Sequence, residues 1–365
     1  MKILVLKETN PNEKRIAISP DLVEKYVKYG FEVFIEKDAG LASGIKDIKF
    51  IDAGAKLVNE INEVITQIDI IISVQRILNS DEIAPINKSC FFISMLNHHF
   101  NKESISQLIN KGIKPIAMEM IPRITRAQTM DVLSSQSNIA GYVAVIEAAY
   151  RGNKIMPMMI TAAGTIAASK VMVIGAGVAG LQAIATAKRL GAIVCAFDVR
   201  AAAKEQVQSL GAKFIEVASS SNNETASGYA KEMDEEYKKR QEKAIYDSII
   251  NQDIVILTAL IPGKKAPILI SKNMVENMKK GSLIIDLAAN SGGNCELTQC
   301  NKIIDINGVT IVGYENFPSL APLDASKLYA KNIYNFIELL IDKDSKQLIS
   351  NIDDEIVKAA LLTKI

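Results

Sequence analysis

The sequence predicts an α/β protein of two parallel-sheet domains, the first discontinuous and completed by a C-terminal helical tail. Three observations carry this. Short, continuously apolar strands alternate with helical stretches in the first third of the chain, the pattern of a parallel sheet covered on both faces. The alternation restarts in mid-chain at a glycine-rich strand–turn–helix, after one half-domain is already complete. A helical tail then follows the last strand. With 365 residues and roughly 150 per domain, two domains are expected.

The elements read in order as follows. Residues 3–6 form a first strand, and Ser19-Pro20-Asp21 opens a helix with an N-cap, a first-position proline and an acid in the first turn. Gly30 stops that helix. Strands follow at 31–35, 69–74, 90–94 and 114–118. The second series runs through a strand at 170–174, a helix ending at Gly191, a strand at 193–197, a helix at 201–210 and a strand at 213–217. Residues 218–228 are small and polar, the composition of a long functional loop. The next helix sets Asp234, Glu235 and Glu236 four residues before Lys238, Lys239 and Arg240. Strands at 254–257, 283–287 and 310–312 precede a helical tail at about 325–340. The domains are therefore expected at 1–133 plus 318–365 and at 134–317.

Composition narrows the function. Apolar residues make up 48% of the chain and charged residues 23%, an ordinary globular balance. Lys+Arg is 42 against Asp+Glu 41, so there is no basic footprint for nucleic acid and a small-molecule ligand is expected. The four cysteines and two histidines show no metal spacing, and the cysteines read as reduced and cytosolic. The apolar run at 3–6 is too short for a signal peptide. The run at 171–187 is broken by three glycines and falls short of the ~20 residues of a membrane span.

The chemistry concentrates at Gly175-Ala-Gly177-Val178-Ala-Gly180. This G-x-G-x-x-G follows a strand and opens a helix, as in Rossmann-like domains. Its glycines serve a tight turn, close approach to pyrophosphate and close helix–strand packing, and the anion sits at the helix N-terminus. Asp198 lies 23 positions after Gly175, where an acid binds ribose hydroxyls and disfavours a 2′-phosphate, so NAD(H) is expected as cofactor. Arg200, two residues on, is the one feature that would tolerate a phosphate. Thr258-Ala259-Leu260 ends a strand where ligands of such sheets sit. Lys264 and Lys265 read as a solvated turn. The strand ending at Asp286 leads to a sharp turn at Ser291-Gly-Gly-Asn294.

The run Pro122-Arg123-Ile-Thr-Arg-Ala-Gln128-Thr-Met-Asp131-Val-Leu-Ser134-Ser-Gln136 resembles the nicotinamide-holding loop of the NAD(H)-binding component of proton-translocating NAD(P) transhydrogenases, within the alanine dehydrogenase/transhydrogenase family. Residues 173–180, Phe197-Asp198-Val199-Arg200, Gly228-Tyr229-Ala-Lys-Glu-Met, Thr258-Ala-Leu-Ile-Pro-Gly263 and Gly292-Gly-Asn-Cys295 fit the same family in order. The resemblance implies that Arg123, Gln128, Asp131 and Ser134 orient the nicotinamide and its ribose. It implies that Asp198, Val199 and Arg200 line the adenosine ribose, and that Tyr229 sits on a loop closing over the cofactor. The bland alternatives are a surface ion pair for Arg123 and Asp131 and a loop-end anchor for Tyr229.

The resemblance further implies an oxidoreductase active only with partners. These are a membrane-spanning proton-channel subunit and an NADP(H)-binding subunit, with a homodimer of this chain held peripherally on the cytoplasmic face of the membrane. Hydride transfer between two nicotinamides moves no proton at that step, so no acid–base side chain is required. Related alanine dehydrogenases use a Lys, a His and an Asp. The matching places here hold Val74-Gln75-Arg76, Leu96-Asn97 and Asn290, with His98 close by. His98-His99, with no carboxylate in view in the sequence, reads as structural. The alternatives are an alanine-dehydrogenase-like, NAD-dependent amino-acid deaminase and a non-catalytic NAD-binding regulatory module. Lys7-Glu8 and Arg15-Ile-Ala fit both groups of enzymes.

Overall fold

In the computed structural model the described residues are 1–217, 235–261, 263–342, 345, 347–348 and 352–363. They form two compact units, Met1–Gln136 with Pro318–Ile365, and Ser137–Phe317. The α/β class and the two Rossmann-like parallel sheets are as the sequence predicts, with the chain's tail completing the first unit.

In the first unit, strands β1 (Lys2–Val5), β2 (Glu32–Glu36), β3 (Lys56–Val58), β4 (Ile70–Ile72), β5 (Phe91–Ser94) and β6 (Lys114–Ala117) form a parallel sheet in the order β3-β2-β1-β4-β5-β6. Ile3 of the central β1 lies opposite Val33 on one side and Ile70 on the other. Alternate strand residues then point to opposite faces. Ile3, Val5, Ile35 and Ile72 share one core with Tyr329, Ile333 and Phe336 of the tail helix Pro322–Ile337. Leu4, Leu6, Ile71 and Phe92 share the other with Ile105 and Leu108 of the helix Lys102–Lys111. Burial on both faces explains the unbroken apolar runs, each large side chain contributing about 1.5–3 kcal/mol. The fully buried Tyr329 donates its hydroxyl to Ser73 O at 2.9 Å, stitching the tail to the end of β4.

The second unit opens with an antiparallel hairpin, β7 (Met159–Thr161) and β8 (Gly164–Ile166). Its main sheet holds β9 (Lys170–Ile174), β10 (Ile193–Phe197), β11 (Lys213–Phe214), β12 (Ile254–Leu257), β13 (Leu283–Asp286), β14 (Lys302–Ile306) and β15 (Val309–Gly313). The order is β11-β10-β9-β12-β13-β15-β14, with only β14 antiparallel. From β9 the chain winds outward to β11, then crosses back to β12 on the other side of β9. The ends of β9 and β12 are thus the switch point at which such sheets bind ligands.

The structure adds elements that the sequence reading lacks. These are edge strand β3, hairpin β7–β8, strand β14, the 20-residue helix Val132–Arg151 and a last helix, Glu355–Ala360. The strand expected at 213–217 is shorter, because β11 is an edge whose pairing with β10 ends at the bond from Ile215 N to Ala196 O. Among the described residues, no helix is long and apolar enough to cross a membrane.

Candidate functional site

The glycine loop joins β9 to the helix Val178–Arg189. Gly175 has φ +95°, and a Cβ on it would stand 2.6 Å from Thr258 Oγ1 and 3.2 Å from Ala259 N. A Cβ on Gly180 would stand 1.8 Å from Gly175 O, so the helix packs against the strand's end at a distance only glycine allows. Gly177 is the N-cap, and Leu181 N makes the helix's first bond back to Gly177 O at 2.8 Å. The amides of Val178, Ala179 and Gly180 come before that bond, where a helix leaves donors for an anion. This cradle, open at Gly177 and closed at Gly175 and Gly180, fits a dinucleotide pyrophosphate.

Around the loop, Thr258 donates its hydroxyl to Gly175 O at 2.9 Å, which fixes the start of the Thr258-Ala259-Leu260 segment. Leu260 and Val178 expose apolar side chains, and Val199 packs against the core under the sheet. Asp198, at the end of β10, accepts from Ala176 N at 2.7 Å and from Arg200 N at 2.8 Å. It also accepts from Arg200 Nε and Nη2, each at 2.9 Å. The sequence placed the two residues side by side but held no sign that Arg200 folds back onto the acid. The carboxylate that would meet a ribose is therefore neutralised and tied to the glycine loop, and Asp198 acts through geometry more than bare charge.

In the first unit the 122–136 segment is locally self-satisfied. Residues Thr125–Met130 form a 3₁₀ turn, and Asp131 caps the helix that follows. Its carboxylate accepts from Ser134 N at 2.9 Å and Ser134 Oγ at 2.5 Å. Arg123 and Gln128 are exposed. The tail holds the turn from behind, with Asn332 and Asn335 donating to Thr129 O at 2.8 and 2.9 Å. Arg126 reaches Asp354 at 2.6 Å. Gly228 and Tyr229 lie outside the described residues.

Several polar groups have partners that the sequence did not reveal. Arg15 and Glu13 form a buried ion pair, Nη2 to Oε2 at 2.5 Å, and Arg15 Nη1 donates to Gln136 Oε1 at 2.8 Å. Burial alone would raise the Glu13 carboxyl, but hydrogen bonds and charge from Arg15, with a bond from Ser319, hold it below its ordinary value. Glu8 accepts from Val74 N at 2.7 Å, yet burial, with the nearby charge of Glu13, pushes it up to about 7. His98 has the carboxylate neighbour that the sequence did not show. Its Nδ1 lies 3.4 Å from Glu119 Oε1, and Glu119 also accepts from Leu96 N. The four cysteines are free, and burial raises the Cys90 and Cys295 thiols to about 12 and 11. Among the described residues, no group of three His, Cys, Asp or Glu could hold a metal.

Two family models match almost the whole chain, the alanine dehydrogenase/PNT N-terminal domain over residues 4–140 and its C-terminal domain over 144–365. The chain belongs to the alanine dehydrogenase/PNT family. Within it, the first of the polypeptides that make up the NAD(P) transhydrogenase alpha subunit of Rhodospirillum rubrum is 49% identical over 370 residues, covering 100% of this chain and 96% of that one. Alanine dehydrogenase 2 of Staphylococcus aureus is 32% identical, over 88% of this chain and 82% of its own. The crystal structure of a transhydrogenase from Sinorhizobium meliloti superposes with a TM-score of 0.86 at 43% identity, covering 100% of this chain and 97% of that one. Within the alanine dehydrogenase/PNT family, the chain is thus similar to the transhydrogenase alpha subunits over its full length.

Proposed function

We propose that this chain is the NAD(H)-binding component of a proton-translocating transhydrogenase. The observation that carries the reading is the glycine cradle at the β9/β12 switch point, sterically closed to side chains at Gly175 and Gly180. Bound NADH supplies a hydride from its nicotinamide, which leaves with its electron pair for NADP⁺ held on a partner subunit. The Gly175–Gly180 loop binds the pyrophosphate, and Asp198, Val199 and Arg200 receive the adenosine ribose. Arg123, Gln128, Asp131 and Ser134 orient the nicotinamide end. No side chain need give or take a proton at the hydride step, so these residues bind, orient and exclude water.

Coupling to proton movement requires a membrane-spanning partner beside the NADP(H)-binding subunit, with this chain on the cytoplasmic face. The chain acts there as a homodimer. Support for a dimer comes from exposed apolar side chains in the second unit, Met158, Met159, Ile160 and Ile166 at the hairpin and Tyr142, Ile146 and Tyr150 at helical spacing. The test mixes the purified chain with an NADP(H)-binding subunit of a transhydrogenase and follows hydride exchange between NADH and an NADP⁺ analogue. Exchange supports the reading, and its absence overturns it.

A second reading is favoured by the likeness to alanine dehydrogenase 2 and by the His98–Glu119 pair, which is built like an acid–base unit. It is an NAD-dependent amino-acid deaminase. NADH oxidation by the chain alone in the presence of pyruvate and ammonia would establish this reading in place of the first.

A further inference from the structure

We propose that Asn294 is the positioning residue of the dinucleotide crevice, holding the Ala259 peptide against the glycine loop, and that Asp286 anchors it. The proposal rests on the NAD(H) reading of the glycine loop and names a residue to which that reading gives no part.

The geometry is a buried relay. Asn294 is fully buried, and its carboxamide grips both polar groups of Ala259. Oδ1 accepts from Ala259 N at 3.0 Å and Nδ2 donates to Ala259 O at 2.8 Å. Nδ2 also donates to Pro267 O at 2.8 Å, which fixes the orientation of the amide. Turned over, it would set an oxygen against two carbonyl oxygens. The side chain thus replaces a neighbouring strand just where β12 ends and its backbone has lost one. The main-chain oxygen of Asn294 accepts from Leu269 N and Ile270 N at 2.8 and 3.0 Å, so one residue knits together three segments.

Behind it stands Asp286, fully buried at the end of β13. Its carboxylate accepts from Asn294 N at 2.8 Å, Cys295 N at 3.1 Å, Thr298 Oγ1 at 2.6 Å and Ala288 N at 2.9 Å. The turn wraps this acid tightly. A Cβ on Gly293, at φ +79°, would stand 3.0 Å from Asp286 Oδ2 and 2.9 Å from Thr298 Cβ. At the other end of the relay, Thr258 donates to Gly175 O at 2.9 Å. The line Asp286–Asn294–Ala259–Thr258–Gly175 therefore sets the separation between the β12 end and the phosphate cradle. It does so from the side of the crevice away from Asp198.

That one-sidedness supplies the test. NADH spans the crevice, whereas AMP needs only the adenosine end at Asp198. In the full-length chain, Asn294→Ala is expected to raise the Kd for NADH at least about tenfold, followed by nicotinamide fluorescence, and the Kd for AMP less than about threefold. Asn294→Asp, which keeps the acceptor but loses both donors, is expected to act at least as strongly. Thr298→Val takes one donor from Asp286 at little cost to the fold and is expected to shift the NADH-to-AMP ratio about threefold in the same direction. A general structural loss would weaken both ligands alike. An unchanged ratio in these variants, with the unsubstituted chain binding NADH normally, overturns the inference alone. No NADH binding by the unsubstituted chain overturns the reading beneath it.

Discussion

The glycine loop of the second unit and the 122–136 segment of the first are both expected to touch the cofactor, and they are built on opposite principles. The loop is defined by what it cannot hold. Its backbone closes on itself, and side chains are excluded at Gly175 and Gly180 by 1.8–2.6 Å approaches. The 122–136 segment is defined by side chains that already have structural employment. Asp131 caps a helix, Ser134 completes the cap, and Gln136 joins a buried ion pair. A steric requirement admits one residue type and announces itself. A polar side chain serves a cap and a ligand equally well, so its role has to be separated by experiment.

The largest effect is expected at Gly180. A methyl group there meets the Gly175 carbonyl at 1.8 Å, a clash with backbone that no rotamer relieves. Gly180→Ala should abolish measurable NADH binding and destabilise the chain by about 3 kcal/mol or more, read from denaturant midpoints. Gly177→Ala is the control within the loop. Its Cβ has nothing nearer than Arg200 Nη2 at 4.0 Å, so stability should stay within about 0.5 kcal/mol while NADH affinity falls. Equal stability loss in both would break the distinction between the glycines.

On the other side of the comparison, Glu13→Ala should cost about 3–5 kcal/mol by stranding the Arg15 charge in the interior. It should also free Gln136, so the 122–136 segment should exchange amide hydrogens faster. Glu8 next door gives a pH signature. Its carboxyl is raised from 4.5 to about 7, so between these values the folded chain holds a proton that the unfolded chain has released. Its contribution to stability is fully present below pH 4.5 and is lost as pH rises through 7. Glu8→Gln should remove that dependence, gaining on the order of 2 kcal/mol on the native chain between pH 5 and pH 8, a figure discounted for the water the side chain still meets. Parallel stability–pH curves would show the proton to be elsewhere.

Asp198→Ala should narrow the preference for NADH over NADPH about tenfold, roughly 1.4 kcal/mol. It removes the acceptor and releases the Arg200 guanidinium, now on Asp198 at 2.9 Å, to meet a 2′-phosphate. An unchanged preference would place specificity outside the β10 end.

How much of this the sequence disclosed follows the same division. The two sheets were legible because a strand buried on both faces leaves an unbroken apolar run, as at Ile70–Ile72 and Ile254–Leu257. Strand β14 was missed although its signal was present. Asn307 and Gly308, at φ +52° and +85°, make the turn that pairs β14 with β15, and an Asn-Gly between alternating residues is a strong hairpin sign. The glycine loop was legible from spacing. The partners Arg200 on Asp198, Glu119 on His98 and Asn294 on Ala259 were not. The first two pairs depend on side-chain direction and the last joins residues 35 positions apart, and neither direction nor long-range proximity leaves a periodic trace in one chain.

The smallest effect is also the sharpest. Asp131→Ala removes both the cap and the proposed ring-orienting carboxylate, so a stability loss of about 1 kcal/mol and a fall in hydride transfer would arrive together and prove little. Asp131→Asn separates them. Asparagine caps a helix about as well, so stability should stay within about 0.5 kcal/mol, while the charge is gone. If orientation of the ring needs that charge, hydride exchange with the NADP(H)-bearing partner should fall at least about tenfold with the Kd for NADH nearly unchanged, because ring placement changes the reactive geometry more than the affinity. If exchange in Asp131→Asn equals that of the unsubstituted chain, the carboxylate is a cap and nothing more. The polar run from Arg123 to Gln136 would then owe its composition to the tail that holds it, through Thr129 and Asn332, and to the ion pair under Gln136.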